Sequence, residues 1–397
     1  MTSNEIRQKF LDFFQKRGHT VIPSASLVPT EDPTVLFNTA GMQPLMPYFF
    51  GKVHPSGDKL VDSQKCVRTV DIEGIGDKTH ATFFEMLGNW SLGSYYKKEA
   101  IEWSFQFLTS KEEGLGLDPK RLYITCFVGD TNVPKDTESL GAWTAVGIPE
   151  NRIYFKGVDS NWWPAVEKED DSWTGPTGAC TEMFYDMQGG LGDLTLEEFE
   201  KADEEQKVIE VWNDVFMEYE KKEGKIVGSL SQKNVDTGAG FERVLAVVQE
   251  KDSIFDTDLW RYIMPEAEKI TDNQRSQRIV ADHFRTSSFI IADGIIPSNT
   301  DRGYILRRLI RRAVLNTKEK GIKEESVQSL VQAVVETYAG VYDNLSSEKV
   351  RIISEIKKKS KNSRKQLWLD LSNLKKSPHP TFQETRHLIY FLHTVSQ

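Results

Sequence analysis

The chain has 397 residues, 39% of them hydrophobic, a formal net charge of -9 and three cysteines. That length and apolar share suffice for about two to three domains with buried cores, and the acidic balance excludes a coat for nucleic acid while leaving room for a local basic face. Met1 to Glu5 shows no basic stretch before an apolar core, no apolar run nears the roughly 20 residues of a membrane span, and Cys66, Cys126 and Cys180 form no CxxC pair; the expectation is a cytoplasmic protein without signal peptide, disulfide framework or cysteine zinc site. In chain order, Ile6, Phe10, Leu11, Phe13 and Phe14 repeat at helical spacing within Glu5 to Arg17, and Gly18 ends that helix. Thr20 to Pro23 starts extended chain, which Leu27 to Pro29 and Thr34 to Phe37 continue, interrupted by Pro29 and Pro33. A strand-like aromatic run follows at Ala81 to Leu87, then a helix over Lys97 to Leu108, then strands at Leu122 to Phe127 and Arg152 to Phe155. Leu196 to Lys207 reads as a solvated acidic helix or loop, and Ile209 to Tyr219 as a buried strand.

From Val244 to about Lys359 the pattern is almost continuously helical. A boundary is therefore expected near Gln249 to Asp256, giving domains at 1–249 and 250–359 and a tail at 360–397. Strands that are not separated by regular helices predict an α+β fold with a mainly antiparallel sheet, not a dinucleotide-binding one. Two nucleotide leads fail. Gly74-Ile75-Gly76-Asp77-Lys78-Thr79 lacks the adjacent Gly-Lys-Ser/Thr of a phosphate loop, and Gly238-Ala239-Gly240 lacks a third glycine.

The segment Val235 to Arg243 carries more. Gly238 and Gly240 alternate on one face of extended chain and clear space for a flat ligand over a sheet. Asp236 shares that face and can hold an ammonium group. Phe241, Val244, Leu245 and Val248 then repeat at helical spacing, which puts Arg243 in a first helical turn, where it can reach a phosphate or stack on a base. A tight strand-to-helix turn with a surface ion pair explains the same residues about equally well. A second element, Gln64 to Arg68 with Thr82 to Asn89, sets an arginine before a turn and an aromatic-carboxylate strand after it. Arg68 can grip a phosphate bidentately while a phenylalanine packs on a base, although core plus a surface arginine is as good a reading.

Together these elements resemble the second and third signature motifs of class II aminoacyl-tRNA synthetases, and the detail resembles the alanyl-tRNA synthetase family. Glu5 to Phe14 is similar to that family's opening helix; Ser26 to Pro29 and Asp32 to Met42 are similar to its first motif. Phe83 to Asn89, Val235 to Arg243 and Ile291 to Asn299 match in the right order, and the resemblance covers about Asn4 to Lys358. It implies an antiparallel sheet flanked by helices, followed by an all-helical domain, and a chain that joins L-alanine to ATP and then to the 3′ end of tRNA(Ala). By resemblance, Arg68 binds the α-phosphate and the alanine carboxylate, Arg243 binds the distal phosphates, and Phe84, Glu85 and Met86 form the adenine site. Asp236 holds the ammonium, Trp163 and Asn213 line a pocket for one methyl group, and Gly238 is its floor. The catalytic residues are then Arg68, Asp236 and Arg243. The chemistry needs alignment and charge neutralisation, which arginines and Mg²⁺ supply; the metal ligands are not assigned.

Two departures stand out. Thr79-His80-Ala81 replaces the family's Arg-His-His, and the loop after Arg68 is short, so Lys78 is the expected substitute contact to ATP. Gly175 to Ala179, where the family has Gly-Pro-Cys-Gly-Pro, reads as structural. Further on, Arg302, Arg307, Arg308, Arg311 and Arg312 crowd one helix after Asn299. A solvated face is the usual explanation of such a run, but its basic density in an acidic chain favours phosphate contacts with the tRNA acceptor stem. The resemblance gives Asn299 the reading of a G·U pair there.

After Lys359 the text departs from the family. Codons permitted for Phe382 onward, read one base out of register, spell a family-like run, so a frameshift near Lys357 to Lys359 is expected, with loss of the second tRNA-reading residue and of editing and zinc chemistry. Two other functions fit less well: an adenylating enzyme with a non-tRNA acceptor, and a silent RNA-binding relic.

Overall fold

The computed structural model describes residues 1–29, 35–164, 173–318 and 321–361. The expected first-motif residues Asp32, Pro33 and Thr34, and the tail from 362 onward, lie outside them. The chain divides into two units, one made of Met1–Cys66 with Phe84–Asp258, the other of Val67–Phe83 with Leu259 onward. The insertion of 67–83 into the second unit was not legible in the composition.

The first unit is built on a nine-stranded sheet: β1 (Thr20–Val21), β2 (Lys59–Val67), β3 (Phe83–Leu92), β4 (Leu122–Phe127), β5 (Ile153–Lys156), β6 (Trp162–Trp163), β7 (Gly175–Asp186), β8 (Val208–Lys222) and β9 (Lys225–Gly240). Their order is β1-β2-β3-β9-β8-β7-β4-β5, with β6 beside β7. The centre, β3-β9-β8-β7-β4, is antiparallel, while β1–β2 and β4–β5 are parallel. The helices are α1 (Ser3–Gln15), α2 (Met46–Phe49), α3 (Lys97–Thr109), α4 (Thr137–Ala145), α5 (Leu196–Glu204) and α6 (Phe241–Val248). The fold is α+β, as the strand spacing implied.

Local chemistry sets these bounds. Thr2 and Glu5 form a capping box at the start of α1, and Gly18 takes a φ of +87° after its end. Thr195 and Glu198 do the same for α5, which resolves the acidic stretch as helix. The long hairpin β8–β9 turns at Glu223-Gly224, both at positive φ, as a two-residue turn between right-twisted strands requires. Strand alternation then separates two faces. Trp212 on β8 packs against Phe10 and Phe14 of α1 and Phe107 of α3, and Ser104 of α3 donates to Asp214 at 2.8 Å. Those residues form the helix-covered core. Asn213, Val215 and Met217 point to the opposite face, which is open at the half-buried Asn213 while Val215 and Met217 pack there in a buried cluster with Phe49 of α2.

The second unit is helical: α7 (Ile263–Glu268), α8 (Gln274–Ala292), α9 (Asp301–Leu315), α10 (Glu324–Thr337), α11 (Asp343–Ser347) and a helix over 349–361. Its axis is α8, buried throughout from Arg278 to Ala292. Asp282 accepts from the Thr82 amide (2.8 Å) and hydroxyl (2.6 Å), and Phe83 stacks on Phe289 at 3.8 Å, which seats the 67–83 segment on α8. Among the described residues no helix is long and apolar enough to cross a membrane.

Candidate active site

Register brings Asp236, Gly238 and Gly240 of β9 onto the open face, Asp236 between Trp90 of β3 and Val215 of β8, Gly238 opposite Asn213, and Gly240 opposite Met86. Asp236 is 7% exposed and accepts a hydrogen bond from the Trp90 indole N–H at 2.7 Å. Burial raises its carboxyl to about 7, against the opposing pull of that indole. Its described side-chain hydrogen bond thus comes from a neutral donor, and a proton or a cation would relieve the buried charge.

The walls around it are small and apolar. Trp90, Cys180, Val215 and Met217 form one buried cluster, with Trp163 packed against it. The Trp90 ring folds back over Gly88, where any Cβ would overlap it, and a Cβ on Gly41 would stand 2.9 Å from the same ring. A Cβ on Gly238 would stand 3.0 Å from the Met86 sulfur, which accepts the Gly41 amide at 3.3 Å. Glycine at 238 thus keeps the surface flat. The Asn213 side-chain oxygen is buried without a hydrogen-bond partner, which marks a place for a donor to arrive. Burial holds the Cys180 thiol well above its ordinary range, so it is a neutral wall.

Arg243 lies in the first turn of α6, as its spacing implied, and its guanidinium reaches Glu210 at 3.1 Å. Glu182 is raised to about 8, first by burial and then by repulsion from Glu210, although Thr125 donates to it at 3.0 Å. Sequence reasoning missed Trp90, Glu182 and Glu210. A carboxylate inside an otherwise apolar strand was the available signal for the last. Among the described residues no three His, Cys, Asp or Glu side chains gather into a metal cage. A Mg²⁺ that arrives with phosphates needs only one or two carboxylates and keeps several waters, a demand that the mutually repelling Glu182 and Glu210 fit.

Phe84 and Met86 are half-buried on the open face. Glu85 is not. It points to the other side of β3, fully buried, where Arg7 grips it through Nε (2.7 Å) and NH2 (2.6 Å). The expected nucleotide contact through Glu85 is therefore replaced by a structural ion pair that ties α1 to the sheet. Arg68 and Lys78 belong to the second unit. Arg68 is exposed and its amide donates to the Thr82 carbonyl at 3.0 Å; Lys78 is exposed in a turn whose Asp77 accepts from the Thr79 and His80 amides.

The arginines of α9 split by role. Arg308 pairs with Glu73, and Arg312 donates to the Ile72 and Glu73 carbonyls and to His283, so both clamp the 70–73 turn. Arg308, expected at phosphate, is thus engaged within the fold. Arg302 and Arg307 are half-buried and Arg311 is exposed, while the Arg307 guanidinium donates to the Asn299 side-chain oxygen.

The family model of tRNA synthetases class II (A) matches residues 5–377, running past Lys359. The chain is 43% identical over 366 residues to an alanine--tRNA ligase of Borrelia hermsii (strain HS1 / DAH) and 44% identical over 366 residues to that of Borreliella afzelii (strain PKo), covering 90% of this chain and 60% of each relative. The alanine--tRNA ligase of Treponema denticola is 43% identical over 366 residues, covering 89% of this chain and 59% of its own. The chain thus spans about 60% of the length of these relatives. By the match over residues 5–377, the chain belongs to the class II (A) tRNA synthetases.

Proposed function

We propose that this chain activates L-alanine with ATP and passes the alanyl group to the 3′ end of tRNA(Ala). The observation that carries the reading is Asp236: a buried carboxylate that accepts from the Trp90 indole, beside an apolar cluster that includes Val215 and Cys180 with Trp163 packed against it. An α-ammonium would satisfy the carboxylate, and the apolar neighbours suit a small apolar side chain such as the methyl group of alanine. Asn213 offers its orphaned oxygen as a second acceptor, and Gly238 supports the ligand from below.

In the proposed reaction an alanine carboxylate oxygen attacks the α-phosphorus of ATP, forming alanyl-adenylate as the bond to pyrophosphate breaks. A terminal tRNA hydroxyl then attacks the alanyl carbonyl and releases AMP. The first attack needs no base because the carboxylate is already ionised, so alignment and charge neutralisation suffice, and in the second the hydroxyl proton can pass to the departing AMP phosphate. Arg243 serves the distal phosphates, with Glu210 as its orienting partner. Phe84 and Met86 frame adenine, while Arg68 and Lys78 enter from their sequence motif as contacts to the carboxylate and phosphates. Mg²⁺, when bound, supplies charge neutralisation at the phosphates, with Glu182 and Glu210 as the side chains that would hold it. On α9 and the loop before it, Asn299, Arg302, Arg307 and Arg311 meet the acceptor stem.

Alanine-dependent ATP–pyrophosphate exchange tests activation, and charging of tRNA(Ala) tests transfer. Exchange without charging points to another acceptor; neither activity, in a folded chain, overturns the proposal.

A further inference from the structure

The segment 67–83, which carries Arg68 and Lys78, is strapped to the helices of its own unit. Arg68 follows the last residue of β2, and its amide donates to the Thr82 carbonyl, so Thr82 sets where the backbone of Arg68 lies. Thr82 is in turn held by Asp282 of α8 through both its amide and its hydroxyl. A further donor to Asp282 Oδ2 is the neighbouring ring, whose Nδ1 in His283 lies 2.8 Å away. On the other edge of that ring Nε2 lies 3.1 Å from a guanidinium nitrogen of Arg312 on α9. A guanidinium can only donate, so Nε2 accepts and the one ring proton sits on Nδ1, aimed at Asp282. Burial lowers the affinity of the ring for a second proton, which keeps that direction fixed. The same Arg312 donates to the Ile72 and Glu73 carbonyls at the turn of the segment.

Asp282 and His283 are fully buried, and among the described residues Asp282 accepts from three side-chain or backbone donors, two on Thr82 and one on His283. Stability alone does not call for such a cluster, because apolar side chains of like volume fill a core without taking a charge out of water. What a fully bonded polar cluster adds is a single geometry, since each donor admits one direction. Here that geometry ends at the backbone of Arg68 on one side and at the 72–73 carbonyls on the other. We infer that Asp282 is a positioning residue for ATP binding, fixing through Thr82 the point from which the Arg68 side chain reaches a phosphate. This rests on the reading of Arg68 as a contact to ATP, and adds to it the residue that sets its place. An asparagine at 282 keeps the size but puts N–H donors where one oxygen was. Facing the Thr82 amide they meet a donor; facing His283 they force the ring proton to Nε2, against Arg312. Either way the error reaches the strap that carries Arg68.

The test is a double-variant cycle on the affinity of the 397-residue chain for ATP with Mg²⁺, measured by isothermal titration. Arg68→Met is expected to weaken ATP roughly tenfold, as the loss of a charge-assisted phosphate contact. Asp282→Asn is expected to weaken it roughly three- to tenfold in a chain whose circular dichroism is unchanged. In the Arg68→Met background Asp282→Asn should cost nothing further, because no side chain is left to misplace. A residue that serves only the fold would lower affinity by the same factor in both backgrounds, and that result overturns the positioning role while the reading of Arg68 stands. An Asp282→Asn chain that binds ATP as the parent does overturns it equally. If Arg68→Met binds ATP as tightly as the parent, the reading of Arg68 falls and the inference with it. Should Asp282→Asn fail to fold, Thr82→Val, which loses only the hydroxyl bond, carries the same cycle, with a smaller loss that again vanishes without Arg68. Thr82→Ser, which keeps the hydroxyl, is expected to retain the parent affinity.

Discussion

At the scale of single residues, Asp236 carries opposed demands. In the proposed role it must be ionised to hold an ammonium group, yet burial raises it to about 7 in the absence of a cation. Below that value the site is increasingly protonated, so the KM for alanine in pyrophosphate exchange should rise as pH falls from 8 to 6, nearing tenfold per unit at the acid end; a flat profile would remove Asp236 from the amino-acid site. Asp236→Asn keeps the indole hydrogen bond and removes the ionisation cost, so it should abolish exchange while stabilising the fold by roughly 1–3 kcal/mol in urea melts. The proposed amino-acid site also carries a specificity prediction. Apolar walls reject an added hydroxyl weakly, by roughly a hundredfold at best, so serine should support measurable exchange at high concentration. Its complete absence would mean that a polar group guards the recess. Asp236 and Arg243 were legible as chemistry because carboxylate, glycines and arginine share one short segment. Trp90 was not, since nothing in its own neighbourhood says that strand register will bring its indole to Asp236.

Elements were legible where helical spacing or a largely apolar run marks them. The aromatic spacing of α1 and the apolar text of β4 and β8 announced themselves. The first arm of β9, from Lys225 to Lys233, alternates only between exposed and half-buried positions, too weak a mark to read in the sequence, and pairs with β8 across the Glu223-Gly224 turn. Glu85 shows how a motif residue can serve an element instead of a ligand. Its bidentate pair with Arg7 is buried, and Arg7 also lies 4.4 Å from the ring centroid of Phe241 at the start of α6. Removing one partner strands a charge in the core, so Arg7→Met should cost about 3–5 kcal/mol, with Glu85→Gln in the same chain recovering part of it. Denaturant midpoints of the single and double variants check this; equal losses in both would show that packing, not the stranded charge, sets the cost.

For the whole molecule, the buried ionisable groups predict how stability follows pH. Asp214 and Asp236 are raised to about 7 and Glu182 to about 8, in each case chiefly by burial, whereas burial lowers His19 to about 4. At pH 7 the three folded carboxyls hold about two protons that the unfolded chain has released, against about a quarter of a proton on unfolded His19. The folded state therefore binds more protons, and its stability should fall as pH rises from 6.5 to 8.5, the carboxyl contribution being lost above about 8. Below 6.5 His19 opposes the trend, because it must stay neutral in the fold while the unfolded ring charges. Urea melts across that window check the sign, and a rise in stability toward pH 8.5 would contradict the assigned burial.

The sequence by itself determined the α+β class, the helical second half, the order of the family-like segments and the residue types that chemistry needs, because local periodicity and short motifs are properties of neighbouring residues. Only the tertiary structure decided which of those residues serve a site and which hold the fold: Trp90 and Glu210 joined Asp236 and Arg243, Glu85 and Arg308 turned to internal partners, and Arg307 turned to Asn299. The physical reason is that strand register and helix docking pair groups far apart in the chain, and a charged side chain goes to whichever partner, ligand or neighbour, spares it from burial alone.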